Sequence, residues 1–252
     1  MGRVSTSSET PPVLLACAHG TRDPRGQRAV AALVAAVRET LPHVRVVDTW
    51  VDVQEPDLDS RTAQHAAEDA VVVPLLLSAG YHVFVDMARA VEAAAGHRVA
   101  AALGPDRRLA TVMARRLTEA LAAAGGPALD AEDRVVMVAA GSSDARAGRD
   151  CRVVAGLLAA ELGHPVTTAY LSAAHPTLQE AVAAARQDTA DAAAAGRVLL
   201  VPYLLAPGYF HGRALAAGAD VTAEPLLVHP GAVPPELVEL VVEHYREASA
   251  AA

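Results

Sequence analysis

Eight short apolar runs rich in β-branched residues recur along the chain, at 13–18, 44–53, 70–77, 99–103, 135–140, 166–171, 198–205 and 221–227. Each has the length of a strand buried on both faces, and the stretches between them carry a helical period. In the first such stretch Val30, Leu33, Val34, Val37 and Leu41 fall on one stripe, opened by Asp23 as N-cap and Pro24 in the first turn. Further helices are expected over about 58–68, 84–95, 106–124, 148–162, 176–195, 212–218 and 234–248. Strand and helix in strict alternation predict an α/β fold of parallel sheets with helices on both faces.

The order also repeats. The segment from Asp48 to Pro56 is echoed from Thr168 to Pro176 at an offset of 120, and Val73 to His82 is echoed from Val201 to Phe210 at 128. Gly20-Thr21-Arg22-Asp23 aligns with Gly141-Ser142-Ser143-Asp144 at 121. Three landmarks therefore agree on a duplicated unit, with a seam at Gly125-Gly126-Pro127. The expected organisation is a flexible tail over 1–12, an N-terminal lobe over 13–126 and a C-terminal lobe over 127–252, each lobe a four-stranded parallel sheet.

Composition narrows the function. No apolar run approaches the roughly 18 residues of a membrane span, and the N-terminus lacks the apolar core of a signal peptide, so a cytoplasmic protein is expected. A formal charge of -8 argues against a general nucleic-acid binder. All 21 basic residues are Arg, which with 58 Ala reads first as genomic bias. Cys17 and Cys151 lie far apart in apolar or helical contexts and suit reduced thiols. No Walker loop and no Gly-x-Gly-x-x-Gly follows a strand, so nucleotide dependence finds no support.

In a parallel sheet, ligands bind outside the carboxyl ends of the strands. Three such ends in the first half carry protonatable groups: His19, then Asp52 with Glu55 just beyond, then His82 reached through Ser78-Ala79-Gly80. Imidazole with carboxylate suits either a divalent transition metal or proton transfer near neutrality, and the residues alone do not choose. The second half has Ala140, Ser172 and Phe210 at the matching positions, which makes it the degenerate half. His175 and His211 remain candidates for a second, weaker site. The remaining histidines are expected at the surface. Arg22, Arg25 and Arg28 stand at a helix N-terminus beside His19, a combination that favours carboxylate or phosphate.

The segment His19-Gly20-Thr21-Arg22-Asp23-Pro24-Arg25-Gly26 resembles the opening motif of the sirohydrochlorin chelatase family, the cobalt and iron chelatases of the CbiX/SirB type. Trp50 to Pro56 and Leu75 to Asp86 resemble that family's next two segments, and with the repeat the match spans nearly the whole chain. The resemblance implies two lobes facing one cleft and ATP-independent insertion of Fe2+ or Co2+ into sirohydrochlorin, with the metal as substrate and no tightly bound cofactor. It implies His19 and His82 as the metal-ligating and proton-accepting pair. Asp52 replaces the family's usual Glu, one methylene shorter, leaving Glu55 as an alternative ligand. Arg22, Arg25, Arg28, Ser78, Gly80 and Tyr81 would meet the macrocycle and its peripheral carboxylates. No nucleic acid or membrane partner is expected, and the chain would act as a monomer or homodimer. The competing readings are a cobalt chelatase for cobalamin synthesis, a non-catalytic tetrapyrrole or metal carrier, and a two-lobed solute-binding protein.

Overall fold

The computed structural model of the chain describes residues 10–78, 81–92, 94–191 and 196–251; the side chains of 81–84, 86, 190 and 191 lie outside the description. Most of the expected tail, residues 1–9, is therefore outside it too. The elements run β1 (Val13–Ala18), α1 (Pro24–Thr40), β2 (Val46–Trp50), α2 (Leu58–Gln64), β3 (Ala70–Pro74), α3 (Tyr81–Glu92), β4 (His97–Val99) and α4 (Arg107–Ala123). The second series is β5 (Arg134–Ala139), α5 (Ala145–Leu162), β6 (Val166–Tyr170), α6 (Leu178–Asp191), β7 (Val198–Tyr203), α7 (Tyr209–Leu215), β8 (Val221–Thr222) and α8 (Pro235–Ala250). They form two parallel sheets of the same topology, β2-β1-β3-β4 and β6-β5-β7-β8.

The period of two along β1 divides the core. Val13, Leu15 and Cys17 face the outer cluster with Leu58 and Met87, while Leu14, Ala16 and Ala18 face a cluster that continues into the second sheet. Both faces being dry, the strand reads as an unbroken apolar run. The two sheets share that inner cluster because helices cross between them: α4 packs on β7, β8 and α5, and α8 returns over β3 and α1. Tyr245 of α8 donates its hydroxyl to the carbonyl of Pro12 (2.6 Å), which pins the entry to β1.

The repeat is visible in the backbone. Asp23 and Asp144 cap α1 and α5 with nearly identical torsions (φ -78°, ψ 117° and φ -78°, ψ 119°), each accepting from the N–H two residues on. Gly20 (φ +99°) and Gly141 (φ +89°) occupy the left-handed region, and a Cβ at either would run into the carbonyl oxygen of Asp52 or Ser172 respectively. Only glycine fits where consecutive strand ends approach this closely.

Several elements differ from expectation, mostly by ending early. The fourth strand is His97–Val99 rather than 99–103, because the chain drifts off the ladder while the N–H groups of Ala100 and Leu103 still bond Val72 and Leu76. The eighth strand stops at Thr222, although Leu226 and Leu227 stay buried in a bend whose N–H groups bond the carbonyls of Leu204 and Leu205. The seventh helix begins three residues earlier than expected, at Tyr209, directly after Gly208. His65, expected at the surface, is buried at the C-cap of α2, with Nδ1 2.9 Å from Glu68 Oε1. Among the described residues no helix is long and apolar enough to cross a membrane.

Candidate active site

His19 follows β1 directly and is exposed. Its carbonyl accepts the N–H of Asp52 (3.0 Å), and the Val51 N–H bonds the carbonyl of Ala18 (2.9 Å). The ends of β1 and β2 are thus stitched together, with an imidazole and a carboxylate on neighbouring strand ends. Asp52 turns one oxygen onto the N–H of Val53 (2.7 Å), a residue held at φ +71°. Glu55 accepts the N–H of Asp57 (3.1 Å).

A residue the sequence did not single out fixes the loop between them. Gln54 Oε1 accepts the N–H of Thr21 (2.9 Å), and Gln27 Nε2 donates to the carbonyl of Thr21 (2.8 Å). Two amides thereby hold the His19 loop against the loop after β2. A glutamine next to Glu55-Pro56 carried no signal, since an amide has no distinctive spacing.

The three arginines do not act alike. Arg25 folds back on Asp23 (2.8 and 3.2 Å), whose carboxyl it holds below the usual range, first through the side-chain hydrogen bond. Arg28 crosses to the second lobe and donates Nε to His229 Nδ1 (3.3 Å). Because a guanidinium only donates, His229 carries its proton on Nε2. Arg22 is exposed and makes no hydrogen bond to a described residue. Ser78 borders a small cavity of about 60 Å³ with Ala140, Gly141, Ser142 and Tyr203 of the second lobe, and the Tyr203 hydroxyl donates to the neighbouring carbonyl of Leu77 (2.5 Å). His82 and Tyr81 lie in the first turn of α3, after β3, with side chains outside the description, as is all of Gly80. Among the described residues no three His, Cys, Asp or Glu side chains converge, and the expected set depends on His82.

His175 and His211 have different surroundings. His175 is 78% exposed, lies 3.1 Å from Glu180 and lines a cavity of about 950 Å³ along β6 and α6, away from the carboxyl ends of β1 and β2. His211 is 2% exposed, and neither ring nitrogen finds a hydrogen-bond partner. Burial, the largest effect, pushes its pKa down; Glu224 (Nε2 to Oε2 3.9 Å), the backbone of Ala223, which comes near without meeting hydrogen-bond geometry, and Asp23 oppose this, and Arg25 adds to it. The folded state thus binds fewer protons here than the unfolded chain, so stability is full above the ordinary histidine value of about 6.5 and is lost as pH falls toward the folded value. His211→Leu removes two unmet polar atoms, and the variant is expected to match or exceed the parent by about 1 kcal/mol at pH 8, with its advantage growing below pH ~6.5. Urea unfolding between pH 5 and 8 checks this; parallel pH slopes would refute it. Cys17 and Cys151 are free and buried, and burial lifts their thiols to about 12 and about 11, which leaves them inert as nucleophiles.

Two four-stranded parallel sheets in tandem, with the polar loops of the first gathered at its strand ends, define a duplicated α/β protein of the chelatase-like fold. The family model CbiX matches residues 13–120 and 134–248, and the chain belongs to that family. Among solved structures, SirB from Bacillus subtilis with Fe3+ is 19% identical with a TM-score of 0.74, over 95% of this chain and 96% of that one. SirB from Bacillus subtilis subspecies spizizenii in complex with cobalt is 18% identical with a TM-score of 0.71, over 95% and 96%. A CbiX described as the terminal enzyme for biosynthesis of siroheme in denitrifying bacteria is 20% identical with a TM-score of 0.63, over 92% and 98%. Comparison with the curated proteins gave no match.

Proposed function

We propose that this chain inserts a divalent metal, Fe2+ in preference to Co2+, into sirohydrochlorin without ATP, acting in the cytoplasm as a monomer or homodimer. The observation that carries the reading is the juxtaposition of His19 and Asp52 at stitched strand ends in a chain of the CbiX family. The Fe2+ preference draws on the SirB described with Fe3+ and on the CbiX described as a siroheme enzyme.

In this reading His19, His82 and Asp52 present nitrogen and oxygen donors to the incoming metal, which exchanges its waters for the four pyrrole nitrogens. Two pyrrole N–H protons leave: an imidazole on the macrocycle face accepts the first, and the second passes to solvent water. Asp52 already holds the Val53 N–H with one oxygen, so its other oxygen is the one offered to the metal. Glu55, farther along the loop and bonded to the Asp57 N–H, is the weaker candidate. Arg22 faces solvent beside His19 and takes a peripheral carboxylate directly, whereas Arg25 and Arg28 first exchange their partners Asp23 and His229. Ser78 and Gly80 from the segment after β3, and Tyr81 from the first turn of α3, complete the macrocycle contacts.

The test is an anaerobic assay of purified protein with excess sirohydrochlorin and Fe2+, Co2+ or Ni2+, following loss of the free macrocycle absorbance. Many turnovers, fastest with Fe2+, are expected. Faster turnover with Co2+ would reassign the metal, a single stoichiometric event would make the protein a carrier, and no metal-dependent change would overturn the chelatase reading.

A further inference from the structure

The chain is poor in aromatics, 3% of its residues, and four of the six whose side chains are described are buried. Trp50, Tyr170, Tyr203 and Tyr245 are each 5% exposed or less. Tyr209 breaks the pattern at 77% exposed, with the half-buried Phe210 beside it, ring centroids 5.7 Å apart and planes tilted by 50°. Leaving so large a ring in water forgoes the burial that Trp50, Tyr170, Tyr203 and Tyr245 gain, and a ring placed so is ready for a ligand.

Its position is as informative as its exposure. Tyr209 and Phe210 follow β7 at the place that Tyr81 and His82 hold after β3, so where the first lobe has an imidazole the second has aromatic rings. The loop before them meets the His19 loop: a Cβ on Gly208 would touch Thr21 Oγ1 (3.2 Å), and one on Gly26 would run into the carbonyl of Pro207. Val53, 43% exposed, stands on the neighbouring strand end beside Asp52. The rings are also rigidly presented, because α7 is anchored from behind by buried His211 and Ala214 and by Arg213, which donates to the carbonyl of Leu171 (2.5 Å).

We infer that Tyr209, with Phe210 at its edge, is the stacking platform for the flat face of the tetrapyrrole, contributed by the lobe that carries no metal ligands. This rests on the chelatase reading and adds a division of labour to it: the first lobe handles metal and protons, the second fixes the ring plane. A flat conjugated macrocycle stacks on an aromatic face with tolerance for its substituents, while the carboxylate rim is left to the arginines.

The experiment titrates sirohydrochlorin into the metal-free protein and measures steady-state insertion, for the parent and for Tyr209→Ala, Tyr209→Phe and Tyr209→Trp. Because the side chain is exposed, Tyr209→Ala should fold normally, which thermal melting checks. Its Kd and KM are expected to rise about tenfold, the scale of one lost stack, with kcat kept within about twofold. Tyr209→Phe should match the parent, and the new indole of Tyr209→Trp should be quenched on binding, beyond any change from Trp50 in the parent. Parent-level affinity in Tyr209→Ala, or an unquenched indole, overturns the platform alone. If the parent itself binds no sirohydrochlorin, the chelatase reading falls and the platform with it.

Discussion

Replacing His19 by alanine is expected to lower metal-dependent consumption of sirohydrochlorin by at least about a hundredfold, with the fold untouched. A positioned acid–base group contributes typically 10²–10⁴ in rate, and this imidazole would also supply a metal donor. The side chain is exposed at the end of β1, and the stitch to β2 runs through its backbone carbonyl, so alanine keeps the Asp52 N–H bond. Surface replacements of this kind change stability by no more than about 0.5 kcal/mol, which makes the activity loss readable as chemistry. Sirohydrochlorin affinity should survive, because the platform and the arginines remain. His82→Ala should behave alike, and the double variant should lose little more than either single, as groups that act as a unit do. Asp52→Asn sharpens the comparison: its amide oxygen still accepts from the Val53 N–H while the charge is gone, so a fall in apparent metal affinity would belong to the carboxylate. The same fall in Glu55→Gln with Asp52→Asn unaffected would move the ligand to Glu55. Full activity in His19→Ala would remove the first lobe's strand ends as the reaction site.

Much of this arrangement could be read from the chain. Strand and helix alternation, the offsets of the repeat and the glycine at the first β-to-α turn of each lobe follow from local rules, and Gly20 and Gly141 meet a real steric demand. His19 and Asp52 were legible as neighbours because parallel order puts successive strand ends together. What escaped is long-range. The crossing of α4 and α8 between sheets leaves no mark in periodicity, since a helix shows the same stripe whichever sheet it covers. The fate of Arg28 depended on His229, 201 residues away, and that of Arg25 on a carboxylate two residues off that serves equally as a cap. Tyr209 was in view only as a backbone landmark of the repeat; its exposure is a tertiary fact. His211 looked like a slipped ligand, and its burial without a hydrogen bond, with only Glu224 at 3.9 Å, makes it a different kind of residue.

The largest stability effect is expected at a place remote from the chemistry. Asp133 is 1% exposed at the seam, just before β5. Its Oδ1 accepts the N–H (2.9 Å) and Nε (3.0 Å) of Arg197, and its Oδ2 accepts Nη2 of Arg197 (2.6 Å) and the N–H of Asp130 (2.9 Å). The same guanidinium donates to the carbonyls of Pro127 (3.1 Å) and Ala128 (2.9 Å), so one ion pair ties the inter-lobe connection to the start of β7. Burial, the largest influence on this carboxyl, raises its pKa, yet the four donors together hold it below the usual aspartate value. Asp133→Ala deletes all four bonds and leaves the Arg197 cation, largely covered, with only the carbonyls of Pro127 and Ala128, a change that costs about 3 kcal/mol, the low end for breaking a buried pair. For a chain of this size that corresponds to a fall in Tm of roughly 10 °C. Asp133→Asn keeps the shape and some acceptance but turns an N–H toward Arg197, and should fall between. The sign with pH follows from the lowered pKa: the carboxylate's contribution is present above about pH 4, the ordinary aspartate value, and disappears as pH falls through the folded value. The gap between parent and Asp133→Asn should therefore be full at pH 7 and close in strong acid. Removing the exposed partner Arg25 from Asp23 gives the control, since a surface pair of that kind contributes at most about 1 kcal/mol. A Tm for Asp133→Ala within 2 °C of the parent would mean that the seam is held by the shared apolar core through α4 and α8, with the ion pair merely accommodated there.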